Sequence, residues 1–440
     1  MTKIQVALSL TMWAMLACPV MGLAQEATLP SVDALVTEAL AKSAELASLR
    51  QQVAAAEAMV APAGALPDPM VAVGLSNVPV GAGIRLDQDA MSSLQLMASQ
   101  EVPRSSKRRL GREVQSAMAA MLRARYDQKR TEIVRQVKQA YLDVQLMDQE
   151  VIIAGQNREV AQDMLATAEA LYATGKVMQE DVFLAQVRLS QMVEMAISAR
   201  RERGMAQTRL NRLLYRPPNQ DIATLPPPQP TSRALTSAAL APLAMERNPG
   251  LIEMRARVQQ AEKGEHLAAQ GIKPDFRLDV AYMIRKPVDM EPMSGDDMWS
   301  ATVGINLPWL YRRQKVDQEV KAAQATRAAA QQDVGSMSNE LGAMIEESLI
   351  ELRRQEEQLA LVETGLLPQA EGALAASRAS YITGQGEVLN LLDSQMNLYN
   401  LQLERVRLIT DHERTLAELE YLAGGSLEAG AGTAEVKSAG

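Results

Sequence analysis

The chain repeats itself. Two copies run at an offset of about 205 to 209 residues. Lys42-Ser43-Ala44-Glu45-Leu46 falls opposite Arg247-Asn248-Pro249-Gly250-Leu251, and Leu66-Pro67-Asp68 falls opposite Lys273-Pro274-Asp275. Tyr172-Ala173-Thr174-Gly175 then matches Tyr381-Ile382-Thr383-Gly384, with Gln186 and Gln395 in register beyond. Whatever one copy builds, the other must build as well, so each element found once is expected twice. Between the copies six of the twenty prolines fall between Arg216 and Pro230, which keeps that stretch extended and non-helical. The expected organisation is a first repeat over 25–215, a Pro-rich linker over 216–231, a second repeat over 232–424 and a flexible Gly/Ala/Ser-rich tail over 425–440.

Residues 1–24 stand outside this plan. Lys3, the apolar run from Ile4 to Leu23 and the small-x-small end at Gly22-Leu23-Ala24 describe a secretory signal peptide. Met15-Leu16-Ala17-Cys18 loosely imitates a lipoprotein cleavage site, but Met at its first position and Pro19 after the cysteine favour loss of Cys18 with the signal. Without Cys18 the mature chain has no cysteine and is held together without disulfides. No later segment offers the roughly 20 uninterrupted apolar residues of a membrane-spanning helix, so any span is made of strands.

Composition removes several function classes. With 45 basic and 53 acidic residues, a net charge of -8, the chain lacks the basic excess of a nucleic-acid binder. No nucleophile and base pair, Walker loop, dinucleotide fingerprint or zinc spacing is visible, so an enzyme is not expected and no cofactor is assigned. Both histidines, His266 and His412, sit alone in helical contexts. Met283, Met290, Met293 and Met298 gather around one strand loop, and thioethers bind soft cations. Because neither Cys nor His joins them and Met recurs along the helices as core filler, no metal site is assigned.

The hydrophobic period changes in the same order in each copy. Strands are expected at about 70–78 and 93–102, and again at about 275–284 and 298–307. Val71, Val73 and Leu75 fall on one side of the first strand; Phe276, Leu278, Val280 and Tyr282 share a side of the third, and Trp299, Val303 and Ile305 a side of the fourth. These lengths approach the 9 to 11 residues a tilted strand needs to cross a bilayer. Five of the thirteen aromatics after the signal (Phe276, Tyr282, Trp299, Trp309 and Tyr311) lie in this part of copy two, as an interfacial girdle requires, while copy one has none here. The ten side chains just named are therefore expected to face lipid. Four strands cannot close a barrel and open edges are not tolerated in lipid, so the chain must oligomerise.

Helical periodicity fills the rest, over about 104–171 and 178–215 in copy one and about 312–380 and 387–423 in copy two. Val137, Ala140, Val144, Met147, Val151 and Ala154 keep 3,4 spacing on the outgoing helix. Val182, Ala185, Leu189, Met192, Ala196 and Ala199 do so on the return, which predicts a coiled-coil seam. Pro368, after Gly365, is expected to kink or interrupt the second outgoing helix, where copy one has Glu159. Basic residues follow each second strand, Arg104, Lys107, Arg108 and Arg109 in one copy and Arg312, Arg313 and Lys315 in the other, a pattern that suits a barrel rim near lipid headgroups.

The duplication, Leu66-Pro67-Asp68-Pro69 ahead of the first hairpin, Ile305-Asn306-Leu307-Pro308 after the last strand, the Asn248-Pro249-Gly250-Leu251 turn and both Tyr-x-x-Gly tips, in this order, resemble the TolC-like outer-membrane efflux proteins over essentially the whole mature length. Leu66-Pro67-Asp68-Pro69-Met70 and Gly74-Leu75-Ser76-Asn77 look most like the heavy-metal (CusC/CzcC-type) branch. The resemblance implies a mainly α protein with a small membrane β-barrel portion: a trimeric channel-tunnel in the outer membrane, extending into the periplasm. Its partners would be a periplasmic adaptor (membrane fusion protein) and an inner-membrane RND-type pump, its cargo metal cations or small toxic compounds. Adaptor docking falls on the tips Thr174, Gly175, Lys176 and Thr383, Gly384, Gln385. A lumen gate falls on Tyr381, Asn390 and Asp393, with Gly386 where related channels carry an arginine and Asp181 where an acid would pair with it. Three copies of Asp393 about the axis would favour cations. A periplasmic coiled-coil adaptor or tether, and an outer-membrane channel for type I protein secretion, are the alternatives, the first separable by detergent-dependent extraction and the second by genomic neighbours.

Overall fold

The computed structural model describes residues 31–427 apart from 80–82, 84, 88 and 289–294, and apart from the side chain of Tyr311. The expected signal peptide with Cys18, Met290, Met293 and residues 428–440 of the expected tail lie outside the described residues. The first repeat runs α1 (Val32–Lys42), α2 (Ala44–Ala58), β1 (Met70–Ser76), β2 (Ser93–Val102), α3 (Ser105–Ala173) and α4 (Gln179–Leu213). The second runs α5 (Ser237–Arg247), α6 (Pro249–Ala269), β3 (Phe276–Arg285), β4 (Met298–Ile305), a four-residue α7 (Pro308–Tyr311), α8 (Arg313–Leu361), α9 (Leu367–Ile382) and α10 (Val388–Leu422).

The duplication is written into the helix caps. Ser43 ends α1 and caps α2, its hydroxyl accepting from the Leu46 amide, and Asn248 ends α5 and caps α6 by accepting from the Leu251 amide. Each cap satisfies an otherwise orphaned donor and fixes the turn between the two helices. The cores repeat in the same way. Leu35, Ala39 and Leu46 pack on Val137, Ala140 and Val144 of α3 and on Leu210 of α4. Leu240, Ala244 and Leu251 pack on Leu341, Ile345 and Leu349 of α8 and on Leu419 of α10. Leu427 joins the second core and the Gly425 amide donates to the Glu420 carbonyl, so the tail expected from residue 425 is still packed at its start.

At about 1.5 Å per residue the 69 residues of α3 reach about 100 Å. Its first half lies along α2 and α6, and its second half pairs with α4 and α10. The seam positions Val137, Val144, Ala154, Ala185 and Met192 are buried there. Between the repeats, residues 216–236 form no helix or strand. Buried polar groups hold them: Asp148 accepts from the Leu225 amide at 2.8 Å and from Arg203 Nε at 3.0 Å, and Gln145 donates to the Pro226 carbonyl at 2.9 Å.

Three boundaries differ from expectation for identifiable reasons. β1 stops at Ser76 rather than 78, because Asn77 takes a left-handed φ of 56° and its side-chain Nδ2 donates to the Met91 carbonyl. β4 stops at Ile305 rather than 307, because Asn306 turns to accept from the Asp275 amide at 2.7 Å. The helix expected over 312–380 is divided: α8 ends at Leu361, a π-helical turn spans Val362–Leu366, and α9 follows. Proline at 368 has no amide to donate and its ring crowds the carbonyl four residues back, which the wider π turn relieves. α3 has no such break, so the two hairpins are not equivalent.

Candidate functional site

The four strands form one antiparallel sheet in the order β1-β2-β3-β4, with β2 and β3 joining the two repeats and β1 and β4 as edges. The register settles the two faces. Val73 is opposite Leu96, Leu96 opposite Tyr282 and Tyr282 opposite Trp299. Val71, Ala98 and Val280 form the next row, and Leu278 with Val303 and Phe276 with Ile305 continue it. All ten expected lipid-facing residues thus share one face, and their side chains are exposed, with Trp299 74% accessible. The other face carries Ser76, Gln95, Ser99, Glu101, Arg277, Asp279, Ser300 and Thr302, where Ser99 donates to Asp279 and Arg277 lies 3.4 Å from Asp279. Met283 and Met298 are directly opposite each other on this polar face. Trp309 continues the exposed aromatics below β4.

At the far end of the helices the two tips close alike. The Gly175 amide donates to the Tyr172 carbonyl and the Lys176 amide to the Leu171 carbonyl, with Gly175 at φ 71°. The Gly384 amide donates to Tyr381 and the Gln385 amide to Ser380, with Gly384 at φ 76°. This is the Schellman arrangement, in which a left-handed glycine satisfies the last carbonyls of a helix. Thr174 and Thr383 each bond their hydroxyls back to the preceding turn, and both triplets are exposed.

The expected gate residues separate into buried and exposed groups. Tyr381 is 1% accessible, packed among Met164, Ala168, Val182, Ala185 and Leu391, so its ring lies inside the tip rather than on an open surface. Burial, with the Asp181 charge as a second cause, pushes its phenol up to about 12. Its hydroxyl is buried without a partner among the described residues. Burial also raises the Asp181 carboxyl, and Glu180 beside it adds to the shift. Asn390 and Asp393 are exposed on α10. Gly386 carries no arginine, and a Cβ there would stand 3.0 Å from Ser380 Cβ and 3.1 Å from the Tyr381 amide nitrogen, so the tight second tip itself selects glycine.

One guanidinium does reach this cluster. Arg188 of α4, 15% accessible, lies 3.7 Å from Asp393, 68% accessible. Sequence reading missed it because the partner comes from the other repeat; the signal was available in the spacing, since Arg188 follows Asp181 by two helical turns. Among the described residues no group of three or more His, Cys, Asp or Glu could hold a metal ion, and no helix is long and apolar enough to cross a membrane.

A two-faced sheet at one end of helices about 100 Å long, with matched glycine tips at the other, defines a channel-tunnel architecture. The chain belongs to the outer membrane efflux protein family, which matches residues 35–214 and 240–425. It shares the fold of the outer-membrane channel OprN, at 17% identity over 90% of each chain with a TM-score of 0.76. CusC is similar at 15% identity over 94% of this chain and 99% of that one, TM-score 0.75. The outer membrane protein VceC from Vibrio cholerae is similar at 18% identity over 90% and 96%, TM-score 0.75. A comparison with curated proteins finds no match.

Proposed function

We propose that this protein is the outer-membrane duct of a tripartite efflux system, receiving metal cations or small toxic compounds from an RND-type inner-membrane pump through a periplasmic adaptor. The observation that carries this reading is the sheet: the ten apolar side chains named above are exposed together on one face, the charged and hydroxyl groups of Ser99, Glu101, Arg277, Asp279, Ser300 and Thr302 fall on the other, and both edges are open. A single chain cannot leave such edges in hydrocarbon, whereas three chains supply twelve strands, enough to close a barrel with the polar face inward. The helices then continue the lumen into the periplasm. Thr174, Gly175, Lys176, Thr383, Gly384 and Gln385 meet the adaptor, while Asn390, Asp393 and Asp181 narrow the entrance and Tyr381, buried inside the tip, packs behind them. In this reading Arg188 stands in for the arginine that Gly386 excludes, holding Asp393 across the two hairpins. Extraction of outer membranes tests the assembly: a detergent-dependent homotrimer with heat-modified migration is expected, and a water-soluble monomer with no membrane fraction would refute it.

A further inference from the structure

The apolar face of the sheet ends in a change of chemistry. Below Val303 and Ile305 come Leu307, Trp309 and Leu310, all exposed, and then Arg312 and Arg313, also exposed. β2 ends in the same direction, with Arg104 exposed just past Val102. The exits of β2 and β4 are two strands apart, about 10 Å at ordinary strand spacing.

The basic residues at this rim are not alike. Lys107 is an internal strut: its ammonium lies 2.7 Å from Asp275 and 2.7 Å from the Lys273 carbonyl. Arg104, Arg312 and Arg313 have no side-chain ion pair among the described residues: Asp275 accepts from the Arg104 backbone amide at 3.0 Å but gives its ion pair to Lys107, and Glu319 pairs with Lys315. They also sit where positive charge is least welcome, since α3 and α8 begin there with no side-chain cap and no acid in the first turn. Three unpaired guanidiniums, an exposed indole and an apolar face running into them form a boundary that matches hydrocarbon above and negative charge below.

We propose that Arg104, Arg312 and Arg313, with Trp309 and Leu310, form a docking surface for the phosphate headgroups of anionic phospholipids in the periplasmic leaflet. The proposal rests on the barrel reading above. Trp309 and Leu310 set the depth of the barrel, and the arginines neutralise headgroups that the zwitterionic lipids of the same leaflet cannot match.

The test uses the purified, delipidated protein inserted into bilayers of phosphatidylcholine alone or with phosphatidylglycerol, read by thermal unfolding and by indole fluorescence in a Trp299→Phe background. Phosphatidylglycerol is expected to raise the midpoint and shift the Trp309 emission, both effects shrinking with salt. Each of Arg104→Gln, Arg312→Gln and Arg313→Gln is expected to cut the preference for anionic lipid up to about fivefold, and the triple variant to abolish it. Lys107→Gln should lower the midpoint in both lipids and keep the difference between them. A triple variant that retains the full difference overturns the proposal, as does inorganic phosphate alone reproducing it. Insertion without any preference overturns it while sparing the barrel; failure to insert into phosphatidylcholine overturns both.

Discussion

At the scale of single residues, the pair formed by Arg188 and Asp393 is the most informative. An ion pair with one exposed partner contributes little stability, about 0 to 1 kcal/mol, so its worth has to lie elsewhere. Arg188→Ala is expected to leave the unfolding midpoint nearly unchanged and to free the Asp393 ring, strengthening cation preference and block by multivalent cations in planar bilayers; Asp393→Asn should weaken both. Equal selectivity in the two variants would place the constriction away from this pair. His412 governs a different response. It is 3% accessible, with Nδ1 3.1 Å from Glu413 and Nε2 3.6 Å from Glu356 of α8, and Glu413 also accepts from the Thr231 amide at the end of the linker. The Glu413 hydrogen bond, helped by the charge of both carboxylates and opposed by burial, holds the imidazole above its ordinary value of 6.5. A raised folded-state value means stability that is complete below about pH 6.5 and lost as pH rises through the higher folded value. Unfolding midpoints of the native protein should therefore fall on the alkaline side of pH 6.5, and His412→Gln should flatten that slope. A slope unchanged by the substitution would assign it to other groups.

At the scale of elements, the tips and the strands differ in how openly the sequence declares them. Tyr172-Ala173-Thr174-Gly175 and Tyr381-Ile382-Thr383-Gly384 can be read as helix ends because glycine alone enters the left-handed region without cost, and the Schellman bonds fall where that spacing puts them. Replacing Gly175 or Gly384 with leucine should cost about 1 to 2 kcal/mol at each tip. On the docking proposal it should also abolish efflux in a resistance assay, with the membrane-inserted assembly still present on heat-modified gels; full efflux in the double variant would remove the tips from docking. The sheet faces were equally legible, since a period of two fixes which side chains share a side before any partner strand is known. The ends of β1 and β4 were not, because Asn77 and Asn306 stop them through bonds to Met91 and Asp275, residues distant in the chain. Pro368 signalled an interruption of the second long helix, but whether a kink, a break or a π turn resolves it depends on packing around Val362, which is buried against Leu359, Leu408 and Ile409. Arg188 escaped notice because its partner, Asp393, lies on a helix of the other repeat, further still than the partners of the two asparagines.

At the scale of the whole molecule, the two faces of the sheet assign opposite fates to neighbouring residues. Val303 and Thr302 are adjacent in β4; Val303 is opposite Leu278 on the apolar face and Thr302 opposite Asp279 on the polar one. In a closed trimeric barrel a lysine at 303 points into hydrocarbon, at a cost of about 2 to 4 kcal/mol near the midplane, multiplied over three chains. A lysine at 302 points into a watered lumen beside the Asp279 carboxylate, where its charge is partly matched. Val303→Lys should accordingly deplete the heat-modifiable, membrane-inserted species, while Thr302→Lys should assemble normally and alter only conductance. A soluble sheet reverses the logic: an exposed face in water accepts a lysine in place of valine without loss, so both variants would fold alike. Normal outer-membrane assembly of Val303→Lys would therefore show that the apolar face does not meet lipid, whatever the fate of its neighbour.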